Sequence, residues 1–144
     1  MVRVTRTFTV DKPAEVVVNY LADFSNAVHW DPGTVSCERE DTGPVKVGST
    51  WRNVSKFLGR ETALSYRLAG LQPGHITLVG TNKTATSTDD ITVRDVTPAG
   101  SEVTYRANIE LHGLARLGAP VVRAALDRLG DQTASKIQQE VARL

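Results

Sequence analysis

From Thr34 to His112 the chain alternates polar and apolar residues at period two, and nothing longer than a turn signal interrupts it. The segments TVSCERE, STWRNVSKFL, ETALSYRLAG, HITLVGTNK, STDDITVRDV and SEVTYRANIELH are separated at Thr42-Gly43-Pro44, Leu58-Gly59-Arg60, Gln72-Pro73-Gly74, around Thr84, and at Pro98-Ala99-Gly100. Period two marks half-buried strands, and short links between consecutive strands make them antiparallel neighbours. The pattern predicts a meander of about six strands. In the last of them Val103, Tyr105, Ala107, Ile109 and Leu111 share one face, with Thr104, Arg106, Asn108 and Glu110 on the other. Such a sheet has one dry face, which another element must cover.

The flanking regions complete the sheet, and only the last is long enough to cover it. Val2, Val4, Phe8 and Val10 share one parity and predict a first strand that completes an edge of the meander. In DKPAEVVVNYLADF, Asp11 reads as a helix N-cap ahead of Pro13, with Val16, Val17, Tyr20, Leu21 and Phe24 at helical spacing. Ser25 reads as the cap of a further short turn that ends at Pro32-Gly33. At the other end, Leu114, Leu117, Val121, Ala125, Leu129, Ile137, Val141 and Leu144 form an amphipathic stripe. This predicts a long C-terminal helix, with Pro120 either kinking it or starting its regular part. The charges on that segment, Arg116, Arg123, Asp127, Arg128 and Asp131, read as a solvated face, with Arg123 and Asp127 as an i,i+4 pair.

The order of elements is therefore strand, helix pair, meander, long helix. It predicts an α+β helix-grip fold: one domain over residues 1–144, with a curved antiparallel sheet of about seven strands wrapped around the C-terminal helix. In order and length the whole chain resembles the helix-grip (SRPBCC) superfamily, which includes lipid-transfer START domains, Bet v 1 allergens, polyketide cyclases and dehydrases, and chaperone-ATPase activators. The residues that carry the resemblance are the opening strand followed by DKPAEVV, the HWDPG corner, GPVKVGSTWR before a strand, and LAGLQPGHITL between two central strands. It is nearest to the bacterial polyketide cyclase/dehydrase-like group. The resemblance implies a cavity between sheet and helix. A cavity at the low end of the usual range, ~300 Å³, would cost roughly 7 kcal/mol if left empty.

Several classes of function fare badly. A formal net charge of +1, with 23% charged residues, gives no electrostatic footprint for nucleic acid. The polar and apolar alternation in MVRVTRTFTV is unlike a signal peptide or a membrane span, so the expectation is a cytoplasmic protein without stable membrane insertion. The lone Cys37 reads as an inert strand residue. His29, His75 and His112 lack metal-ligand spacing and no phosphate loop is present, so no metal or cofactor is expected. Asp89 and Asp90 are neighbours in a strand, point to opposite faces, and so form no carboxylate dyad.

The expected cavity wall comprises Trp30, Trp51, Asn53, Phe57, Leu64, Tyr66, Tyr105, Ile109, Leu117 and Val121. Trp30 offers a broad apolar face and one N–H, and Tyr66 and Tyr105 offer inward hydroxyls able to orient a carbonyl or serve as weak acids. His112, at the strand-to-helix junction, is a minor catalytic candidate, although its parity with Glu110 turns it to water. His29 and Asp31 flank Trp30 and read as solvent-facing parts of a corner. These residues favour a module that binds a small hydrophobic or amphipathic ligand of lipid, polyketide or isoprenoid type, in a monomer or weak homodimer. The alternatives are a polyketide cyclase or aromatase using the same cavity, and a protein-interaction module.

Overall fold

The computed structural model describes all 144 residues, Met1 to Leu144. Strand β1 (Val2–Val10) leads into helix α1 (Ala14–Ala22), a 3-10 turn (Phe24–Asn26) and the short helix α2 (Ala27–Trp30). Strands β2 (Thr34–Arg39), β3 (Thr50–Phe57), β4 (Arg60–Gln72), β5 (His75–Thr81), β6 (Ala85–Thr97) and β7 (Gly100–Leu111) follow. A second 3-10 turn (Gly113–Gly118) then enters helix α3 (Ala119–Ala142). All neighbouring strands are antiparallel, in one seven-stranded sheet ordered β1-β7-β6-β5-β4-β3-β2. The meander and the closing edge strand follow the alternation in the sequence. Register shifts at Thr34/Ser36, Leu68/Gly70 and Asp95/Thr97 add local twist and bend the sheet.

The concave face carries the core. Leu68, Ile76, Leu78, Ile91 and Val103 are buried on the strands, and Val17, Leu21 and Phe24 are buried from the helical side. Helix α1 does not begin as the sequence suggests. Asp11 caps nothing; Pro13 holds the N-cap position, and the free Ala14 N–H donates to Asp95 Oδ1 on β6 at 2.8 Å. The cap is thus supplied across the fold by a residue far away in sequence. The 3-10 turn is capped by Asp23, whose Oδ1 accepts from Ser25 N at 3.1 Å.

Pro120 stands in the first turn of α3, where its missing N–H costs nothing, so the regular helix starts there without a kink. The helix buries Leu126, Gly130, Thr133, Ile137 and Val141. A Cβ on Gly130 would lie 2.8 Å from Val4 Cγ2, so only glycine lets α3 approach β1 this closely. Arg6 fixes the same contact. Its Nε donates to Asp131 Oδ1 at 2.7 Å, and its Nη2 to Asp127 Oδ1 and to the Asp127 carbonyl, both at 2.9 Å. Asp127 and Asp131 stay on the solvated face, as expected, but Asp127 pairs with Arg6 of β1 rather than with Arg123.

Candidate functional site

A cavity of about 240 Å³ lies between the concave face and the first half of α3. Its apolar wall includes Phe57 of β3, Leu64 of β4, Ile109 of β7, and Val122, Leu126 and Leu129 of α3. Its polar groups are Asp31, Ser55, Tyr66, Ser87, Asp89 and Tyr105, with Asn82, Thr84 and Lys56 toward the β5–β6 turn and the end of β3. A wider depression, about 430 Å³, is a surface notch among Pro13, Asp95, Thr97 and Pro98 at the opposite end of β6.

Alternation explains the inward tyrosines. Tyr66 shares parity with Leu64 and Leu68 on β4, and Tyr105 with Val103 and Ala107 on β7; both are 7% exposed. The Tyr66 ring rests on Gly80 of the neighbouring strand β5, where an added Cβ would run into the ring. Phe24 stacks at a tilt on its other side, with ring centroids 4.4 Å apart.

The same alternation brings in a residue that the sequence reading set aside. Asp89 and Asp90 do face opposite ways. Asp90 is on the convex side, in contact with His75 Nε2 and accepting from Thr77 Oγ1 at 3.1 Å. Asp89, however, shares the parity of Ile91 and Val93, is 6% exposed and borders the cavity. Tyr105 Oη donates to its Oδ1 at 3.1 Å, and no other side chain or backbone group bonds it. A carboxylate with so little hydrogen bonding is costly to keep ionised away from water. Burial, reinforced by the negative charge of Asp31, pushes the Asp89 carboxyl from 3.8 up to about 7. Burial and the charge of Asp89 also hold the Tyr66 and Tyr105 phenols well above their ordinary range.

Asp31 also departs from expectation, because it is half-buried and borders the cavity. Its Oδ1 accepts from Gly33 N at 3.2 Å, and its Oδ2 accepts from Thr34 Oγ1 at 2.7 Å. Thr34 Oγ1 in turn accepts from Asn53 Nδ2 at 3.0 Å. Burial raises the Asp31 carboxyl, while these hydrogen bonds and Lys136 oppose the shift. His29 is exposed, as its place in the corner suggests.

The remaining expected wall residues divide. Phe57, Leu64, Tyr66, Tyr105 and Ile109 border the cavity. Trp30, Trp51 and Asn53 are fully buried beyond it. Trp30 packs edge-on against Phe24 and Tyr105, with its Nε1 left unpartnered, and Trp51 donates its Nε1 to Ser25 Oγ at 3.0 Å. Leu117 and Val121 are corrected outright. They are 82% and 57% exposed, and Val122, Leu126 and Leu129 take their place. His112 sits at the end of β7 with Nε2 2.9 Å from Thr86 Oγ1 and does not border the cavity. Cys37 is buried in β2, and burial pushes its thiol up to about 11, far from thiolate reactivity at neutral pH.

The fold agrees with comparison to known proteins. The family model described as "Polyketide cyclase / dehydrase and lipid transport" matches residues 1–142. The chain belongs to this family. Solved structures similar to this family member include a START superfamily protein from Mycobacterium smegmatis, 13% identical with a TM-score of 0.82, the match covering 98% of this chain and 97% of that one. The Zhui aromatase/cyclase from Streptomyces sp. R1128 is 16% identical with a TM-score of 0.80, covering 98% and 93%. A STAR-related lipid transfer protein from Xanthomonas axonopodis is 12% identical with a TM-score of 0.73, covering 96% and 85%. At these identities the likeness establishes the helix-grip fold. No curated protein sequence matches the chain. No helix of this family member is long and apolar enough to cross a membrane.

Proposed function

We propose that the protein binds one small amphipathic molecule in the cavity between the sheet and α3. The observation that carries this reading is the cavity itself: about 240 Å³, with an apolar wall from β3, β4, β7 and α3 and polar groups that include Asp31, Asp89 and the Tyr66 and Tyr105 hydroxyls. Left dry, that space would cost up to ~6 kcal/mol at ~24 cal/mol per Å³, a large share of a domain's usual ~5–15 kcal/mol. Water or a guest therefore fills it. A space of this size suits a ring system or a short chain better than a two-tailed lipid. Native mass spectrometry of freshly purified protein is expected to show one small organic molecule per chain, released on denaturation. A refillable site is the minimum the reading needs: protein that arrives empty and then takes up no small aromatic or aliphatic probe in calorimetry overturns it.

The contact between Asp89 and Tyr105 favours a second reading, a cyclase or dehydratase in this cavity. A carboxyl near neutrality can take a proton from an activated methylene; once Asp89 holds that proton it no longer needs the one from Tyr105, and the phenol is free to turn and donate to the enolate oxygen that forms. Proton transfer by a positioned side chain contributes ~10²–10⁴-fold. In a single-turnover assay on a reactive poly-β-ketone surrogate, Asp89→Asn is expected to slow cyclisation within that range, and Tyr105→Phe to slow it less. Equal rates in wild type and both variants remove acid–base catalysis from these residues.

A further inference from the structure

Three features of the cavity bear on the charge of its guest. First, Asp89 is 94% buried by the complement of its 6% exposure, it borders the cavity, and only one of its carboxylate oxygens has a partner. Second, the charged groups around it are of one sign. Asp31 faces it from the corner after α2 and raises its carboxyl, while Tyr105 on β7 and Tyr66 on β4 are neutral phenols. Third, the cations stay away from it. Lys56 borders the cavity but is exposed at the end of β3, and Lys136 on α3 is exposed and acts on Asp31 rather than on Asp89.

We propose that the cavity takes a guest whose polar head donates a hydrogen bond to Asp89, an uncharged hydroxyl or a cationic ammonium, and rejects anionic amphiphiles such as fatty carboxylates. The proposal rests on the ligand-binding reading above and names the class of guest. Its physical basis is desolvation. An incoming carboxylate would lose its water beside Asp31 and Asp89, where no cation stands, since Lys56 is out in solvent at the end of β3; in a low-dielectric site that repulsion is strong. A hydroxyl or ammonium instead satisfies the vacant lone pairs of Asp89, the group that the fold leaves short of partners. Tyr105 already spends its proton on Asp89 and is a poor donor toward an incoming carboxylate.

Octanol, octylammonium and octanoate have matched chains and differ only in the head, so their titration by calorimetry tests the idea. At pH 8, above the value of about 7 for Asp89, octanol and octylammonium are expected to bind, and octanoate at least about tenfold more weakly. Asp89→Asn is expected to weaken octylammonium by about tenfold, to bring octanoate toward octanol, and to leave octanol nearly unchanged. The wild-type ranking stands as a test even if the variant folds poorly. Octanoate binding as tightly as octylammonium, or a preference that survives Asp89→Asn, overturns the charge selection while leaving the cavity reading in place. If none of the probes binds, both fall.

Discussion

At pH 8 the Asp89→Asn protein is expected to be more stable than wild type, by up to ~4 kcal/mol, and this advantage is expected to disappear near pH 4. In the folded protein the Asp89 carboxyl titrates at about 7, against 3.8 for an ordinary aspartate. Between those two values the unfolded chain has released a proton that the folded chain still holds. Stability therefore falls as pH rises from about 4 to about 7, and the loss is complete above the folded value. At ~1.36 kcal/mol per tenfold change the full loss is ~4 kcal/mol, a ceiling because cavity water solvates part of the charge. Asn keeps an Oδ1 to accept from Tyr105 and carries no charge to desolvate. Asp31 is raised by burial as well and pulls in the same direction, so the wild-type slope is expected to persist in part in the variant. Urea unfolding of both proteins at several pH values checks the prediction. An Asn variant that is less stable than wild type at pH 8 would show that the carboxylate is a net structural asset and not a burden. A residue this costly, kept at the wall of the cavity, fits function better than stability.

The elements that position this cavity were legible because their physics is local. Parity alone places Tyr66, Tyr105, Leu64 and Ile109 on the concave face, and Pro120 marks where α3 begins. Asp89 was legible by the same rule. It alternates with Ile91 and Val93, and opposite facing of Asp89 and Asp90, which rules out a dyad, also requires that one of the two point inward. The error over Leu117 and Val121 has a geometric cause. Val121 lies inside α3 but one residue off its inward line, which runs through Val122 and Leu126, while Leu117 falls where residues Gly113–Gly118 form a 3-10 turn. A 3-10 turn takes ~3.0 residues where an α-helix takes ~3.6, so the apolar direction slips by roughly a third of a turn across it. Leu114 and Leu117 consequently face solvent, and the buried line runs through Leu126, Gly130 and Thr133. Asp31, and the cap that Asp95 gives to α1, were beyond sequence reading for a different reason. Each depends on contacts between segments with no fixed spacing: Asp31 on a corner without periodicity, Asp95 on a strand brought to α1 only by the finished sheet.

Trp51→Ala is expected to cost ~3–5 kcal/mol, the usual loss when a fully buried large aromatic is truncated. Its ring is 0% exposed and meets Phe24 edge to face, with centroids 6.2 Å apart. The Arg39 guanidinium lies 5.7 Å from the ring centroid, and the indole N–H holds Ser25 in the 3-10 turn. The side chain thus ties β3 to the turn between α1 and α2, and with Trp30 and Phe24 it closes the core beyond the cavity. Trp51→Phe keeps most of the apolar area and loses the bond to Ser25 together with part of the ring volume. It is expected to cost ~1–3 kcal/mol, because Ser25 is only part-buried and water can replace its donor. Denaturant unfolding measures both variants. A Trp51→Ala loss below ~1 kcal/mol would mean that this cluster does not hold the corner, and the cavity would then need another support for its inner wall. The cluster also predicts how function responds. Trp51 does not border the cavity, so Trp51→Phe is expected to leave affinity for octanol within about twofold of wild type while lowering the denaturation midpoint.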